Sequence, residues 1–187
     1  VSSAASDVYK RQVKNALDSF PPGAIIAMRY LIAAAITGAL FRKRLRGLTR
    51  GDVARGALVG LALFGAYIVQ TIGLQYTTAG KNAFLTTIYV LLVPFGCALL
   101  FHQKLQKGNL IAAALMLVGI GLLSLDGQAG GLNVGDLLTL ACGFLFAAHI
   151  IAVEQCQKET NPYALIVLQF AFCGLYAAVY SLSLIHI

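Results

Sequence analysis

Charged residues are scarce in this chain. Only 11% of its 187 residues are Asp, Glu, Lys or Arg, whereas 59% are hydrophobic. Soluble domains contain about 25% charged and about 45–50% apolar residues. A soluble domain of this size would leave much of that apolar surface exposed, and large exposed apolar patches cause aggregation. The shortage of charge therefore excludes an ordinary soluble domain and indicates an integral membrane protein.

Sequence motifs of catalysis and metal binding are also missing. The chain has no HExxH, GxSxG or GxxxxGK[ST] motif and no paired carboxylates within its apolar runs. Its four cysteines form no CxxC pair and lie in or beside apolar runs, at Cys97, Cys142, Cys156 and Cys173. Cysteines in such surroundings behave as small buried hydrophobic residues. We therefore expect no catalytic residue, no metal site and no cofactor.

Six apolar stretches approach the length that crosses about 30 Å of hydrocarbon. We designate them spans A to F, and they cover 21–41, 56–76, 83–101, 109–125, 137–153 and 162–180. All except span A are free of Asp, Glu, Lys and Arg. A continuous apolar segment in lipid satisfies its backbone hydrogen bonds as a helix. The sequence therefore predicts an all-α integral membrane fold, a polytopic bundle with six transmembrane helices in this chain.

Basic residues between the spans are distributed unequally. The loops after spans A, C and E carry nine Lys or Arg residues, whereas the opposite side has only Lys14 and Lys81. Such residues collect in short loops on the cytoplasmic side of membrane proteins. The net charge of +7 thus reflects orientation, and we expect no nucleic-acid partner. We predict that the loop 42–55 is cytoplasmic and that the loop 126–136 is external.

Spans A and F begin with a similar pattern. Pro22 to Arg29 and Pro162 to Gln169 both read as a proline, six apolar or small residues and a polar residue, and an aromatic residue follows each. The two spans are five apart, so two homologous units that begin in this way must have opposite orientations in the membrane. Inverted repeats are typical of transporters, whose substrate site lies near the midplane where the repeats meet.

The segment 70–101, QTIGLQYTTAGKNAFLTTIYVLLVPFGCALLF, resembles the third and fourth helices of EamA-like transporters in the drug/metabolite transporter superfamily. The shared features are a polar hairpin of small residues and a helix broken by proline, here Gln75, Thr77, Thr78, Ala79, Gly80, Lys81 and Pro94. The segment 135–155 resembles the opening helix of the second repeat, and span F resembles the helix after it. Gln103 stands where many members carry a glutamate, so we assign no acid to that position.

The resemblance implies ten helices in two inverted five-helix repeats, of which this chain would hold helices two to seven. Residues 13–126 would form part of the first repeat, and residues 127–180 part of the second. The segments 1–12 and 181–187 look like translated sequencing-adaptor read-through, and we expect them not to belong to the native protein. We also expect that the fragment alone does not transport.

The function implied by the resemblance is a transporter that moves a small metabolite, amino acid or drug-like solute by alternating access. We expect it in a cell membrane, the cytoplasmic membrane of a bacterium, with the solute and the lipid bilayer as partners and a homodimer left open. An integral-membrane enzyme, a channel and a structural membrane subunit are the alternatives. Saturable, solute-specific flux in liposomes distinguishes a carrier from these classes.

Polar residues within the spans are candidates for the substrate pathway, because lipid-buried polar groups usually face a cavity or another helix. The candidates are Arg29, Gln70, Gln75, Asn82, Thr86, Tyr89, His149 and Gln169. Asn82, Thr86 and Tyr89 recur at three-to-four spacing and share one face of span C. That face either lines the pathway or forms hydrogen bonds between helices. Pro94 lacks a backbone N–H and is expected to kink span C.

Two of these candidates are ionisable. Arg29 lies near the membrane midplane, where an arginine costs about 2.5–3.5 kcal/mol on insertion scales, and no acid of this chain lies at the same depth. We expect it to face the central cavity, with backbone carbonyls, water, an acid in other helices or an anionic solute as its partner. His149 lies past the midplane, where it either couples transport to protons or bridges two helices as a neutral imidazole.

Overall fold

The computed structural model describes residues 22–45, 47–102, 107–125 and 133–185. Several predictions from the sequence concern residues outside these ranges. They are the identity of the segment 1–12, the positions of Lys14 and Gln103, and most of the external loop 126–136. Residues 181–185, at the start of the segment 181–187, continue the last helix of the described chain.

The described residues form helices joined by short turns. We number them α1 (Pro22–Phe41), α2 (Arg50–Tyr76), α3 (Ala79–Thr86), α4 (Tyr89–Phe101), α5 (Lys107–Leu125), α6 (Val134–Cys156) and α7 (Pro162–Ile185). Five segments are long and apolar enough to cross a membrane, namely α1, α2, α3 with α4, α6 and α7. Helix α5 has 19 residues and covers the predicted span D. The polytopic helical membrane fold is thereby confirmed.

Local sequence signals determine where several helices begin. Pro22 and Pro162 are the first residues of α1 and α7, where the missing N–H of proline costs nothing. Thr49 and Asp52 form a capping box at the start of α2, with reciprocal hydrogen bonds of 3.2 and 2.9 Å. Asn133 and Asp136 form the same motif at α6. Each box satisfies backbone donors that the first helical turn leaves unpaired.

Span C differs from the single helix that its apolar run predicts, because it is divided at Thr87 and Ile88. There the backbone changes to i→i−3 hydrogen bonds, with Thr87 N donating to Phe84 O at 3.1 Å and Ile88 N to Leu85 O at 3.2 Å. The Thr87 hydroxyl donates to the same Phe84 carbonyl at 2.5 Å. Pro94 lies inside α4, which continues past it. A kink at Pro94 therefore stays a prediction, and the interruption lies before that residue.

Helices α1 and α7, which contain the two similar sequence patterns, pack against each other in antiparallel orientation. Gly23 near the start of α1 lies against Tyr180 near the end of α7, and Gly38 near the end of α1 lies against Val167. Tyr30 and Phe170 follow the polar residue in each pattern, and their ring centroids are 5.5 Å apart. If α1 and α7 belong to two inverted units related by a two-fold axis, equivalent residues can contact each other only where both lie close to that axis. The packing supports the inverted repeat, which stays a prediction.

Two groups of contacts connect residues at or near helix ends, one group at each end of the bundle. At one end Arg55 forms an ion pair with Glu159 and donates a hydrogen bond of 3.3 Å to Thr160. At the other end Lys81 and Asp136 form an ion pair of 3.3 Å. The segments after spans A and E therefore share one end, as the charge distribution predicts. That this end is cytoplasmic stays a prediction.

Candidate functional site

A cavity of about 480 Å³, open on one side, lies between α2, the divided helix α3–α4 and α6. We call it the central cavity. Its walls are Leu63, Tyr67, Gln70, Ala83, Thr86, Thr87, Tyr89, Phe146, His149 and Ile150. Four of the candidate pathway residues line it, which are Gln70, Thr86, Tyr89 and His149. Segments that are far apart in sequence thus bring polar and aromatic groups to one space within the membrane-spanning part of the bundle.

The polar wall of the central cavity is a hydrogen-bonded network. Gln70 donates from its amide to the Thr86 hydroxyl at 3.1 Å, and Thr86 donates in turn to the backbone carbonyl of Asn82 at 2.7 Å. The Asn82 amide donates to the Thr139 hydroxyl at 2.9 Å and lies 3.3 Å from the Gln70 backbone oxygen. Asn82 is 5% exposed and does not line the cavity. Asn82 therefore lies outside the cavity, and its hydrogen bonds hold Gln70 and the divided helix in position.

His149 connects α6 to α2 and also lines the central cavity. Its Nδ1 lies 3.2 Å from the backbone oxygen of Val59. Because a carbonyl oxygen only accepts, Nδ1 carries the hydrogen in this contact, and Nε2 is the remaining polar atom of the ring. The imidazole therefore bridges two helices, one of the two roles predicted for it. A role in proton coupling stays a prediction.

Aromatic rings form the remaining wall. The ring of Phe146 packs edge-to-face on Tyr67, with centroids 5.0 Å apart and an interplanar angle of 88°. Tyr89 lies on the other side, with its centroid 5.9 Å from that of Phe146. Such contacts hold large side chains in defined orientations. The cavity thus has one hydrogen-bonding wall and one apolar wall, as small-molecule sites commonly do.

Arg29 is not among the residues that line the central cavity. Its residue is exposed on α1, and its guanidinium carbon lies 5.3 Å from the centroid of Tyr67 and 5.5 Å from that of Tyr30. Cation–π contacts are worth about 0.5–2 kcal/mol each, so two of them offset a large part of the cost of placing this charge in the membrane. Tyr67 also lines the central cavity, so one side chain contacts both Arg29 and that cavity. The predicted pathway role of Arg29 stays a prediction.

Two other candidates lie away from the central cavity. Gln75 is exposed near the end of α2, one residue before Tyr76. Gln169 is 7% exposed on α7, and its Oε1 has no hydrogen-bond partner within the described ranges. Its backbone oxygen lies against Gly60 of α2, where an added Cβ would approach to 2.9 Å. Neither residue contributes to the cavity wall in this structure.

Sequence reasoning missed a buried ion pair beside the cavity network. The side chain of Asp136 is 1% exposed and that of Lys81 is 12% exposed. Thr77 donates to the same carboxylate at 2.5 Å, and Asn133 N donates to it at 3.2 Å. The capping-box spacing of Asn133 and Asp136 was visible in the sequence, but the pairing with Lys81 joins residues 55 positions apart. The described residues include no cluster of three or more His, Cys, Asp or Glu side chains that could hold a metal ion.

Comparison with known proteins decides the family of the chain. The model of the EamA-like transporter family matches residues 2–125. The chain belongs to the EamA-like transporter family. The match ends one residue before the predicted end of the first repeat, and it includes most of the segment 1–12 that we expected to be extraneous. The boundaries predicted for both repeats and for the terminal segments accordingly stay predictions.

One curated relative of this EamA-like chain is an uncharacterized transporter of Archaeoglobus fulgidus. The two are 35% identical over 150 residues, which is 80% of this chain and 46% of the relative. The chain therefore spans about half the length of the curated relative that it matches. No solved structure matches the chain.

Proposed function

We propose that this EamA-like chain is part of a transporter that moves a small metabolite, amino acid or drug-like solute by alternating access, with the central cavity as part of the solute pathway. The observation that carries the proposal is that four polar or aromatic candidates of a transporter-family sequence converge on one cavity, namely Gln70, Thr86, Tyr89 and His149. Lipid-buried polar groups are costly, and a pathway is a common reason for retaining them.

The wall chemistry suits an amphipathic solute. Gln70, Thr86 and His149 offer hydrogen-bonding groups, while Tyr67 and Phe146 cover apolar parts of a solute. The volume of about 480 Å³ lies within the range of small-molecule sites. The expected location is the cytoplasmic membrane of a bacterium, with the bilayer as the surrounding partner.

Alternating access requires one set of helices to move against another. The ion pairs Lys81–Asp136 and Arg55–Glu159 lie at opposite ends of the bundle. Each connects a segment of the predicted first repeat to a segment of the predicted second repeat. The interruption at Thr87 and Ile88 lies between them, beside the central cavity. In a rocking motion, the ion pair at one end of the bundle would therefore break while the ion pair at the other end is kept.

The test fills the central cavity without removing a hydrogen bond. Ala83→Phe places a ring in the cavity wall, whereas Ala141→Phe places the same ring on an exposed position of α6 that does not line it. In proteoliposomes of the ten-helix protein that carries this sequence, uptake of a panel of radiolabelled amino acids, organic acids and amines is measured. We expect Ala83→Phe to lower saturable uptake by roughly tenfold or more and Ala141→Phe to leave it unchanged. Equal uptake by both variants, or flux that never saturates, contradicts the proposal.

A further inference from the structure

A second cavity of about 410 Å³, which is widely open to the surface, adjoins the central cavity at Tyr89 and Ile150. We call it the end cavity, because it lies towards the end of the bundle where Arg55 contacts Glu159. It is lined by Tyr89, Val90, Val93, Pro94, Cys97, Asn109, Ile150 and Glu154. These residues belong to α4, α5 and α6, and among them Glu154 is the single charged side chain.

Glu154 forms no ion pair within the part of the chain that the structure describes. The Cys97 thiol lies 3.5 Å from Glu154 Oε2 as a weak donor. Lys158 is one helical turn further on, but its ammonium group donates to Gln155 Oε1 at 2.8 Å and lies 5.5 Å from the centroid of Phe101. The recorded contacts of Lys158 thus go to Gln155 and Phe101, and the Glu154 carboxylate keeps its capacity to bind a cation.

Pro94 contributes a second acceptor to the same space. Proline has no N–H, so the Val90 carbonyl, four residues earlier, lacks its usual helical donor. Val90 and Asn109 both line the end cavity. A backbone carbonyl without its donor is costly in an apolar environment and favours a ligand that supplies one. The end cavity therefore combines one negative charge with neutral acceptors.

We infer that the end cavity binds the protonated amino group of the transported solute, with Glu154 as its counter-charge and the Val90 carbonyl as a hydrogen-bond acceptor. The inference rests on the proposed function, because it assigns a charge class to the solute of the adjoining cavity. An ammonium group carries three N–H donors, which suits a carboxylate and a carbonyl together. Ca²⁺ and Mg²⁺ are coordinated by about six or more oxygen atoms, more than these residues supply.

The experiment compares three probes that differ mainly in charge. The chain is purified in lipid nanodiscs, and its thermal unfolding is followed with 2-phenylethylammonium, neutral 2-phenylethanol and anionic 3-phenylpropanoate. We expect only the ammonium probe to raise the unfolding temperature in a saturable manner. We expect Glu154→Gln to weaken its apparent affinity by at least about tenfold, whereas Glu154→Asp, which keeps the charge, weakens it less.

Equal stabilisation by the three probes, or undiminished ammonium binding by Glu154→Gln, overturns the inference. If Glu154→Gln does not fold, competition among the probes in the unsubstituted protein decides the charge preference. The two proposals fail separately. Uptake that depends on Ala83 but shows no preference for amines contradicts the inference alone, whereas ammonium binding without saturable uptake contradicts the transport proposal.

Discussion

Helical spacing predicted part of the polar wall. Asn82 and Thr86 are four residues apart, and both are buried on the side of α3 that faces α2 and α6. The sequence could not show that Thr86 lines the cavity while Asn82 lies behind it. That difference depends on the positions of their partners, Gln70 on α2 and Thr139 on α6. Gln75 is five residues beyond Gln70 and near the helix end, so the two glutamines have different surroundings.

The surroundings of Arg29 were the least predictable at this scale. Its depth and charge were visible in the sequence, and they indicated that some group must compensate the charge. The observed partner Tyr67 is an aromatic ring on another helix, 38 positions along the chain by residue number. Aromatic residues are common in membrane helices and carry no sequence mark of a cation–π contact. Only the tertiary packing could identify this partner.

The contact between Arg29 and Tyr67 can be measured by a double-mutant cycle with Arg29→Gln and Tyr67→Leu. We expect a favourable coupling of about 1 kcal/mol, because the ring interacts with a full positive charge in a poorly solvated place. The free energy of unfolding is measured in detergent or nanodiscs for the four variants. Additive effects of the two substitutions would show that the contact contributes nothing. Unchanged transport kinetics of Arg29→Gln in the predicted ten-helix protein would contradict a pathway role for Arg29.

At the scale of helices, small residues determine how closely the elements approach. Gly56 and Gly60 have the GxxxG spacing that favours close helix packing, and both residues lie directly against α7. Gly135 was not singled out from the sequence, yet it packs against backbone atoms of Gly73, Tyr76 and Thr77. A glycine at the start of a helix has many causes, and its role as a contact point depends on the crossing of α2 and α6.

Gly135→Ala should destabilise the protein. The added Cβ would lie 2.6–2.8 Å from backbone atoms of α2 and the residue after it, and backbone cannot rotate away as a side chain can. Overpacking of this kind costs about 1–3 kcal/mol. Gly65→Ala is the matched control, because no atom lies within 4 Å of its added Cβ, and a mid-helix alanine should be neutral or stabilising by up to about 1 kcal/mol. Equal unfolding temperatures for the two variants would show that α2 and α6 are not in close contact.

The division of span C shows a limit of prediction from apolar runs. The sequence predicted one helix over 83–101 because hydrophobicity continues without a break. The structure has two helices, since the Thr87 hydroxyl and the i→i−3 hydrogen bonds replace the regular pattern at Thr87 and Ile88. Composition does not report such local hydrogen bonding. The helical state was therefore predictable, whereas the position of the interruption was not.

At the scale of the whole molecule, the number and sequence of the membrane segments were largely predictable. Apolar length identifies a helix in lipid because the backbone has no other means of satisfying its hydrogen bonds. The charge distribution also predicted which loops share an end, as the contact between Arg55 and Glu159 bears out. The central cavity itself was not predictable, because it depends on the relative positions of α2, α3, α4 and α6.

The central claim is that solute passes through the central cavity, and reaction of a single thiol tests it most directly. Ala83→Cys places the thiol on the cavity wall and Ala141→Cys places it outside, each after replacement of Cys97, Cys142, Cys156 and Cys173. A membrane-impermeant thiol reagent is added to transport-competent proteoliposomes of the predicted ten-helix protein. We predict that the thiol at position 83 reacts and that its reaction abolishes uptake. We also predict that transported solute slows this reaction, and that the thiol at position 141 does not react. A protein that transports while position 83 stays unreactive from both sides, or reacts without loss of uptake, would contradict the account.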